Sequence, residues 1–338
     1  MAETMLASIG DLRLRLGGTL PDVNLAYVTY GKLAPDGRNA ILLTHGYTSS
    51  HLFAQGAGAS EGSWSTLVGS GRAIDTDRYF VVSSNMLGSS AGSTAPRSNN
   101  PAIGRPYGPD FPDITLADIV TAQRRLLERL GVRQLTAVIG PSYGGFQAFA
   151  WGTEYPDFVR GLVPVVTAPA ARAAVDVDGL RARLATDPNW NDGHYYDKGG
   201  IVPTLTKLRV ETLRRYGIDA ELLSRFPDPA ARDAEIHEIA RRWAEAFDGH
   251  SLLVLGRAMT QFDVTPKLGR IKARVLYVLS RTDKLFPPSL APDVMKALSL
   301  AGVDTSYFEI DSPHGHLASG TDAAKWELAL RTFLFELG

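Results

Sequence analysis

Gly140-Pro141-Ser142-Tyr143-Gly144 sets one hydroxyl between two glycines. The apolar run Leu135-Thr136-Ala137-Val138-Ile139 precedes it, and a helical pattern from Gly145 through Trp151 follows. A serine on a sharp strand-to-helix turn stands clear of the sheet edge, and small flanking residues let the two backbones pass closely. This pattern predicts a nucleophile rather than an incidental serine in a glycine-rich turn. A serine hydroxyl is a weak nucleophile at neutral pH, so it needs a base and a third group that orients the base. Where such an elbow tops a parallel sheet, the acid and then the histidine follow it along the chain.

Asp283 fits the acid. It lies in Ser280-Arg281-Thr282-Asp283-Lys284-Leu285-Phe286-Pro287-Pro288, directly after a strand ending at Leu279, and the two prolines fix the backbone beyond it. The alternative is a solvated turn aspartate paired with Arg281 or Lys284. His316 fits the base, in Asp311-Ser312-Pro313-His314-Gly315-His316-Leu317 after the last expected strand. His314 is its rival, and Gly315, which permits a tight loop, favours His316. The His-x-His pair lacks a carboxylate or cysteine at ligand spacing, so no metal site is expected. Acyl chemistry also needs two N–H groups aimed at the developing oxyanion. The expected donors are the N–H of Tyr143, at a helix N-terminus, and that of Tyr47, in Thr44-His45-Gly46-Tyr47-Thr48. His45 is expected to hold that loop rather than act as a second base.

These residues need a scaffold. Ala40 to Thr44 is a short apolar run, as in a strand buried on both faces. Tyr79–Ser83, Leu135–Ile139, Leu162–Val166, Arg274–Leu279 and Ser306–Ile310 repeat it, while Leu12–Leu16 and Val23–Tyr30 alternate like an antiparallel edge. Helical patterns lie between the runs. The clearest is Thr115–Leu130, with Leu116, Ile119, Val120, Gln123, Leu126, Leu127 and Leu130 on one face and Thr115 with Asp118 as a cap. Alternating strands and helices predict an α/β fold, a mostly parallel central sheet flanked by helices. The alternation breaks over residues 169–265, which read as helical segments (Leu180–Ala185, Thr204–Tyr216, Ala230–Phe247). Residues 1–168 and 266–338 are therefore expected to form the core, and 169–265 an inserted helical lid. Gly56-Ala57-Gly58-Ala59 and Ser89-Ser90-Ala91-Gly92-Ser93 read as loops that wall the site. The 338 residues are 44% hydrophobic and 21% charged, with net charge −1, so nucleic acid and anionic membranes are not expected partners. The chain has no cysteine, which excludes disulfides, thiolate metal sites and a cysteine nucleophile. No signal-like N-terminus and no long apolar run are evident, so a cytoplasmic protein is expected.

With these residues in hand, the chain resembles the homoserine O-acetyltransferase family of α/β-hydrolase-fold enzymes over nearly its whole length. Arg72-Ala73-Ile74-Asp75-Thr76-Asp77-Arg78-Tyr79-Phe80-Val81-Val82 is similar to the family's stretch before its fourth strand. Ser84-Asn85-Met86-Leu87-Gly88, Gly92-Ser93-Thr94, Asn100-Pro101 and Gly104-Arg105-Pro106-Tyr107-Gly108-Pro109-Asp110-Phe111-Pro112 continue the likeness. The resemblance implies dimerisation through the lid, for which Leu205, Leu208, Val210 and Leu213 are the apolar positions, although the same four could equally face the core.

Three departures bear on activity. The family elbow reads G-G-S-M-G-G, against Pro141 and Tyr143 here. The lid arginine that the family uses for an amino-acid carboxylate falls at Leu180, with Arg181 and Arg183 expected on other helix faces. The family's A-M-D is Ala258-Met259-Thr260. Without those partners homoserine should bind poorly. The leading expectation is thus a cofactor-independent carboxylic ester hydrolase for small acetyl esters, like some members of the family. The alternative is an O-acetyltransferase using acetyl-CoA and homoserine or another hydroxylated acceptor. A non-catalytic ligand-binding protein is disfavoured because all three triad residues are present.

Overall fold

The computed structural model of the chain describes residues 3–56, 63–171 and 176–338. Eight strands form the main sheet: β1 Met5–Ser8, β2 Asn24–Tyr30, β3 Ala40–Thr44, β4 Phe80–Ser84, β5 Leu135–Pro141, β6 Val159–Val165, β7 Arg274–Ser280 and β8 Thr305–Ile310. Their spatial order is β1-β2-β4-β3-β5-β6-β7-β8. The pairs β1/β2 and β2/β4 are antiparallel, and every pair from β4/β3 to β7/β8 is parallel. This is the α/β-hydrolase fold expected from the sequence. The antiparallel edge differs in detail: Leu12–Arg13 pairs with Thr19–Leu20 in a separate ribbon, and β1 takes the outer position instead.

The central strands alternate between two cores. In β3, Ala40 and Leu42 face one core, while Ile41 and Leu43 face the other. Helices α1 (Leu116–Arg129), α2 (Tyr143–Glu154) and α8 (Ala291–Leu300) cover the first face. On the second, the C-terminal helix Glu327–Glu336 packs through Leu330, Phe333 and Leu334. Thr115 caps α1 reciprocally with Asp118, as the spacing predicts.

Between β6 and β7 the described residues carry helices α3 (Val177–Leu184), α4 (Val202–Tyr216), α5 (Ile218–Leu222), α6 (Pro229–Ala246) and α7 (Gly249–Thr260). Helix α7 escaped the sequence pattern because it is buried on nearly all sides, so its apolar positions show no stripe. Leu205 and Leu208 pack into one helical core and Val210 and Leu213 into another, so all four expected apolar positions are covered within the chain itself. No helix among the described residues is long and apolar enough to cross a membrane.

Candidate active site

The nucleophile elbow is strained in the way its sequence demands. Ser142 joins β5 to α2 at φ 56° and ψ −119°, a conformation rare for a side-chain-bearing residue. Its N–H donates to the Val165 carbonyl (2.8 Å), and its own carbonyl accepts from Gly145 N–H (2.9 Å). A Cβ on Gly144 would overlap the Thr44 carbonyl, and one on Gly140 would overlap the Thr44 side chain. The glycines are therefore required by the close passage of β3.

The same crossing binds the two expected oxyanion segments together. Thr44 Oγ1 donates to the Gly144 carbonyl (2.9 Å), and Gln147 Nε2 donates to the His45 carbonyl (3.1 Å). The Tyr47 and Tyr143 rings stack at 5.8 Å and 14°. Tyr143 is the first residue of α2, so its N–H has no acceptor within the helix. His45 is fully buried. Its Nδ1 bonds the Gly46 carbonyl (2.9 Å), and its Nε2 accepts from Met86 N–H (3.2 Å), which fixes a neutral ring. Burial holds its pKa down at about 3. This histidine holds the loop, as expected.

Asp283 and His316 meet. His316 Nδ1 lies 2.8 Å from Asp283 Oδ2, with side chains 1% and 0% exposed. Burial pushes the Asp283 carboxyl up, but the facing imidazole, its hydrogen bond and the N–H groups of Leu285 and Phe286 outweigh that, leaving the pKa below the ordinary value. Thr282 clamps the two loops, donating from Oγ1 to the Ser312 carbonyl (2.7 Å) and accepting from Gly315 N–H (3.0 Å). Arg281 instead pairs with Glu309 and Asp311, so the turn-aspartate alternative is not realised through it. The rival His314 faces Asp322 at 3.9 Å.

Ser142 opens into a cavity of about 820 Å³. Tyr216 and Phe286 line the same cavity, and the His316 ring packs against both, at 4.9 and 5.8 Å between centroids. Tyr47 and Tyr143 line it too. Of the five residues singled out from the sequence, Tyr47, Ser142 and Tyr143 thus line one cavity, while the paired Asp283 and His316 lie behind its lining residues Tyr216 and Phe286. The described residues of the two loops expected to wall it do not line it. Ser90 packs on the start of α7, donating to Ser251 and accepting from Asp248 N–H. Gly56 lies elsewhere, and residues 57–59 are outside the described residues.

The lining that α3 and α4 contribute to the cavity holds what the sequence reading missed. Arg183 lines it beside Leu180, because residues three apart share a helix face; the expectation that Arg183 turns away is corrected. Arg209 also lines it although only 1% exposed, donating to Thr48 Oγ1 (2.8 Å) and lying over the rings of Trp243 and Tyr216. Asp176 and Glu211 add carboxylates, Glu211 being paired with Arg183 at 2.6 Å. Thr260 is exposed, whereas Met259 lines the cavity, so the missing acid of the A-M-D segment says little about this pocket. The signal for Arg209 was available: it interrupts the apolar stripe of α4 next to Leu205 and Leu208. Among the described residues no cluster of His, Asp and Glu could hold a metal ion.

Residues 39–323 match the model of the alpha/beta hydrolase fold family. A homoserine O-acetyltransferase of Symbiobacterium thermophilum is 40% identical, over 96% of this chain and 92% of its own. A homoserine O-succinyltransferase of Comamonas testosteroni is 36% identical, over 95% and 92%. Among solved structures, esterase E22 superposes with a TM-score of 0.86 at 27% identity, covering 99% of this chain and 100% of its own. The sequence relatives overturn the ester-hydrolase expectation. At 36–40% identity over nearly the full chain they carry acyltransferase names, against 27% for the esterase. The expectation failed physically because it judged two aligned positions, whereas the cavity draws its charges from other residues of α3 and α4.

Proposed function

This chain belongs to the α/β-hydrolase fold family, among the homoserine O-acetyltransferase relatives, and from that premise we propose that it transfers a short acyl group from an acyl-CoA thioester to the hydroxyl of homoserine. Ser142 Oγ attacks the thioester carbonyl while His316 Nε2 takes its proton. The oxyanion is received by the N–H groups of Tyr47 and Tyr143. His316 returns the proton to the departing thiolate, leaving an acyl-serine. The acceptor hydroxyl then attacks that ester, giving its proton to the same nitrogen, and the O-acyl product leaves as Ser142 recovers its proton. Asp283 holds the His316 tautomer and balances its charge. Residues 169–265 act as the lid that carries the acceptor-binding wall.

One observation carries this reading beyond kinship. The cavity that opens on Ser142 bears guanidinium groups from Arg183 and Arg209 and carboxylates from Asp176 and Glu211. A zwitterionic amino acid offers a carboxylate to the buried Arg209 guanidinium and an ammonium to the exposed carboxylates, of which Glu211 is paired with half-exposed Arg183; a simple alcohol needs neither. The test is thiol release from acetyl-CoA with and without homoserine. Release that requires homoserine and yields O-acetylhomoserine is expected. Equal release without it would overturn the proposal.

A further inference from the structure

We infer that Trp243, on lid helix α6, is a positioning residue for the oxyanion site: its indole N–H heads a chain of hydrogen-bonded peptides that ends on the Tyr47 N–H. The inference rests on the acyl-serine step proposed above, with Tyr47 as one oxyanion donor, and not on the identity of the acceptor.

The chain has two links. Trp243 Nε1 donates to the Thr48 carbonyl at 2.8 Å. That carbonyl and the Ser49 N–H belong to one planar peptide. Ser49 N–H donates in turn to the Gly46 carbonyl at 3.2 Å, closing a tight turn with Tyr47 and Thr48 at its corners. The Gly46 carbonyl shares its own peptide with the Tyr47 N–H. In a trans peptide the carbonyl and the N–H point in opposite directions, so whatever holds the one aims the other. Peptides linked in this way also polarise one another, which strengthens the last donor. No carbonyl among the described residues accepts the Tyr47 N–H, which leaves it free for a substrate oxygen. His45 Nδ1 donates to the same Gly46 carbonyl at 2.9 Å, so the turn is held from the core as well as from the lid.

Three lid helices reach this turn, and their grips differ. Arg209 of α4 holds the Thr48 side chain through Oγ1 at 2.8 Å, and the Leu252 carbonyl of α7 takes the Tyr47 hydroxyl. Of the three, Trp243 alone holds the main chain of the turn. Its ring is itself fixed. It stacks on Phe247 at 4.6 Å and 18°, and the Arg209 guanidinium lies over it at 5.1 Å. Without the indole N–H the buried Thr48 carbonyl loses a donor, and the turn relaxes toward another. The peptide that carries the Tyr47 N–H then turns with it.

The test measures Ser142 acylation by stopped-flow p-nitrophenol release and intact mass, using p-nitrophenyl acetate and p-nitrophenyl thionoacetate with neither CoA nor acceptor. Rates are divided by the hydroxide-catalysed rate of each ester. Sulfur is a weak hydrogen-bond acceptor, so an oxyanion site acts on the oxygen ester and little on its thiocarbonyl analogue. Trp243→Phe keeps an aromatic ring and loses the N–H. It should slow acylation by the oxygen ester ~10-fold or more, part of the ~10²–10³ that a whole oxyanion donor contributes, with the thionoester nearly unaffected. The oxygen-to-sulfur ratio then falls by the same factor. A merely structural defect would slow both esters alike and leave the ratio unchanged. Replacing Trp243 by benzothienylalanine puts sulfur in place of the N–H in a ring of the same shape. It should reproduce the effect, and it decides the matter if the phenylalanine variant fails to fold. A folded variant whose ratio stays within ~3-fold of the wild-type value overturns the inference. A wild-type protein that forms no acyl-serine overturns the acyl-serine reading and this inference together. Because no acceptor is present, a failure of homoserine-dependent transfer leaves this readout standing.

Discussion

Replacing Asp283 by asparagine keeps the shape of the side chain and changes only its charge and one donor, so it isolates what the carboxylate does. Asp283 Oδ1 accepts from Leu285 N–H at 2.8 Å, and Oδ2 faces His316 Nδ1 at 2.8 Å. An asparagine that keeps its oxygen on Leu285 N–H must turn its NH₂ toward His316. Nδ1 then becomes an acceptor, the ring proton moves to Nε2, and Nε2 can no longer take a proton from Ser142. Flipping the amide would restore the tautomer but set two donors face to face at Leu285, leaving a buried N–H unsatisfied at about 1–3 kcal/mol. Even the flipped form lacks the carboxylate charge. At an effective dielectric of ~20, a carboxylate ~4 Å from an imidazolium contributes about 4 kcal/mol. The two effects overlap, and a triad whose acid becomes an amide loses ~10⁴ in kcat, or about 5.4 kcal/mol of barrier. Asp283→Asn should therefore lower kcat for thiol release by ~10³–10⁴ and leave the homoserine KM within a factor of a few. The variant should stay folded, and it should gain relative acid stability. The Asp283 pKa is depressed in the folded protein. Its stabilising contribution is thus present above the ordinary carboxylate pKa and lost as pH falls through the folded value, a loss the amide cannot suffer. Steady-state kinetics with circular dichroism at matched temperature measures both. A decrease in kcat of less than ~10-fold in a folded variant would refute the tautomer argument.

Three further outcomes are expected. Ser142→Gly should abolish acylation and raise the thermal midpoint, because it releases a backbone conformation that costs a side-chain-bearing residue about 1–3 kcal/mol; an unchanged or lower midpoint would mean the elbow stores no strain. Arg209→Met should raise the homoserine KM by at least ~10-fold with a smaller effect on kcat, since a lost charged hydrogen bond amounts to about 1.5–3 kcal/mol; equal affinity in the variant would place the acceptor carboxylate elsewhere. His45 is held neutral with a pKa of about 3, so the unfolded chain binds the extra proton first as pH falls below about 6.5. The stability this histidine confers is complete above that pH and decreases by about 2 kcal/mol by pH 5. Urea unfolding at pH 7 and pH 5 should show a loss in the wild-type protein that is smaller by about 2 kcal/mol in His45→Asn, the remainder coming from the buried His51 and His250, whose pKa values are also lowered.

The sheet was legible because its constraints are local. Ala40–Thr44 is buried on both faces and reads as an uninterrupted apolar run, and the structure returns it with the same bounds. The elbow was legible for a related reason. Gly140 and Gly144 are fixed by the approach of Thr44, and Ser142 by its strained turn, so three positions within five residues carry the geometry. Asp283 and His316 followed from chain order, each sitting just past the end of a strand. What escaped had no local signature. Helix α7 is buried almost all round, and its apolar residues run consecutively from Leu252 to Leu255. Strand β1 has two exposed residues among its four, and a two-strand edge partner decides its place.

The acceptor was misjudged for a different reason, and it bears on how such enzymes should be compared. In the roles proposed, Ser142 and His316 must meet at one carbonyl while Asp283 holds the other imidazole nitrogen, which leaves little room for rearrangement, so a residue aligned to the motif carries its role with it. A binding wall carries no such demand. A carboxylate can be met by a guanidinium arriving from any neighbouring helix, provided its head reaches the same volume. Here Leu180 occupies the aligned position, yet Arg183 one turn later and Arg209 on α4 both line the cavity. Position-by-position comparison registers the missing arginine at position 180, while the cavity still bears guanidinium groups from α3 and α4. Under the proposed transfer, Arg209→Met should shift the choice between water and homoserine as second nucleophile, whereas Leu180→Ala should not.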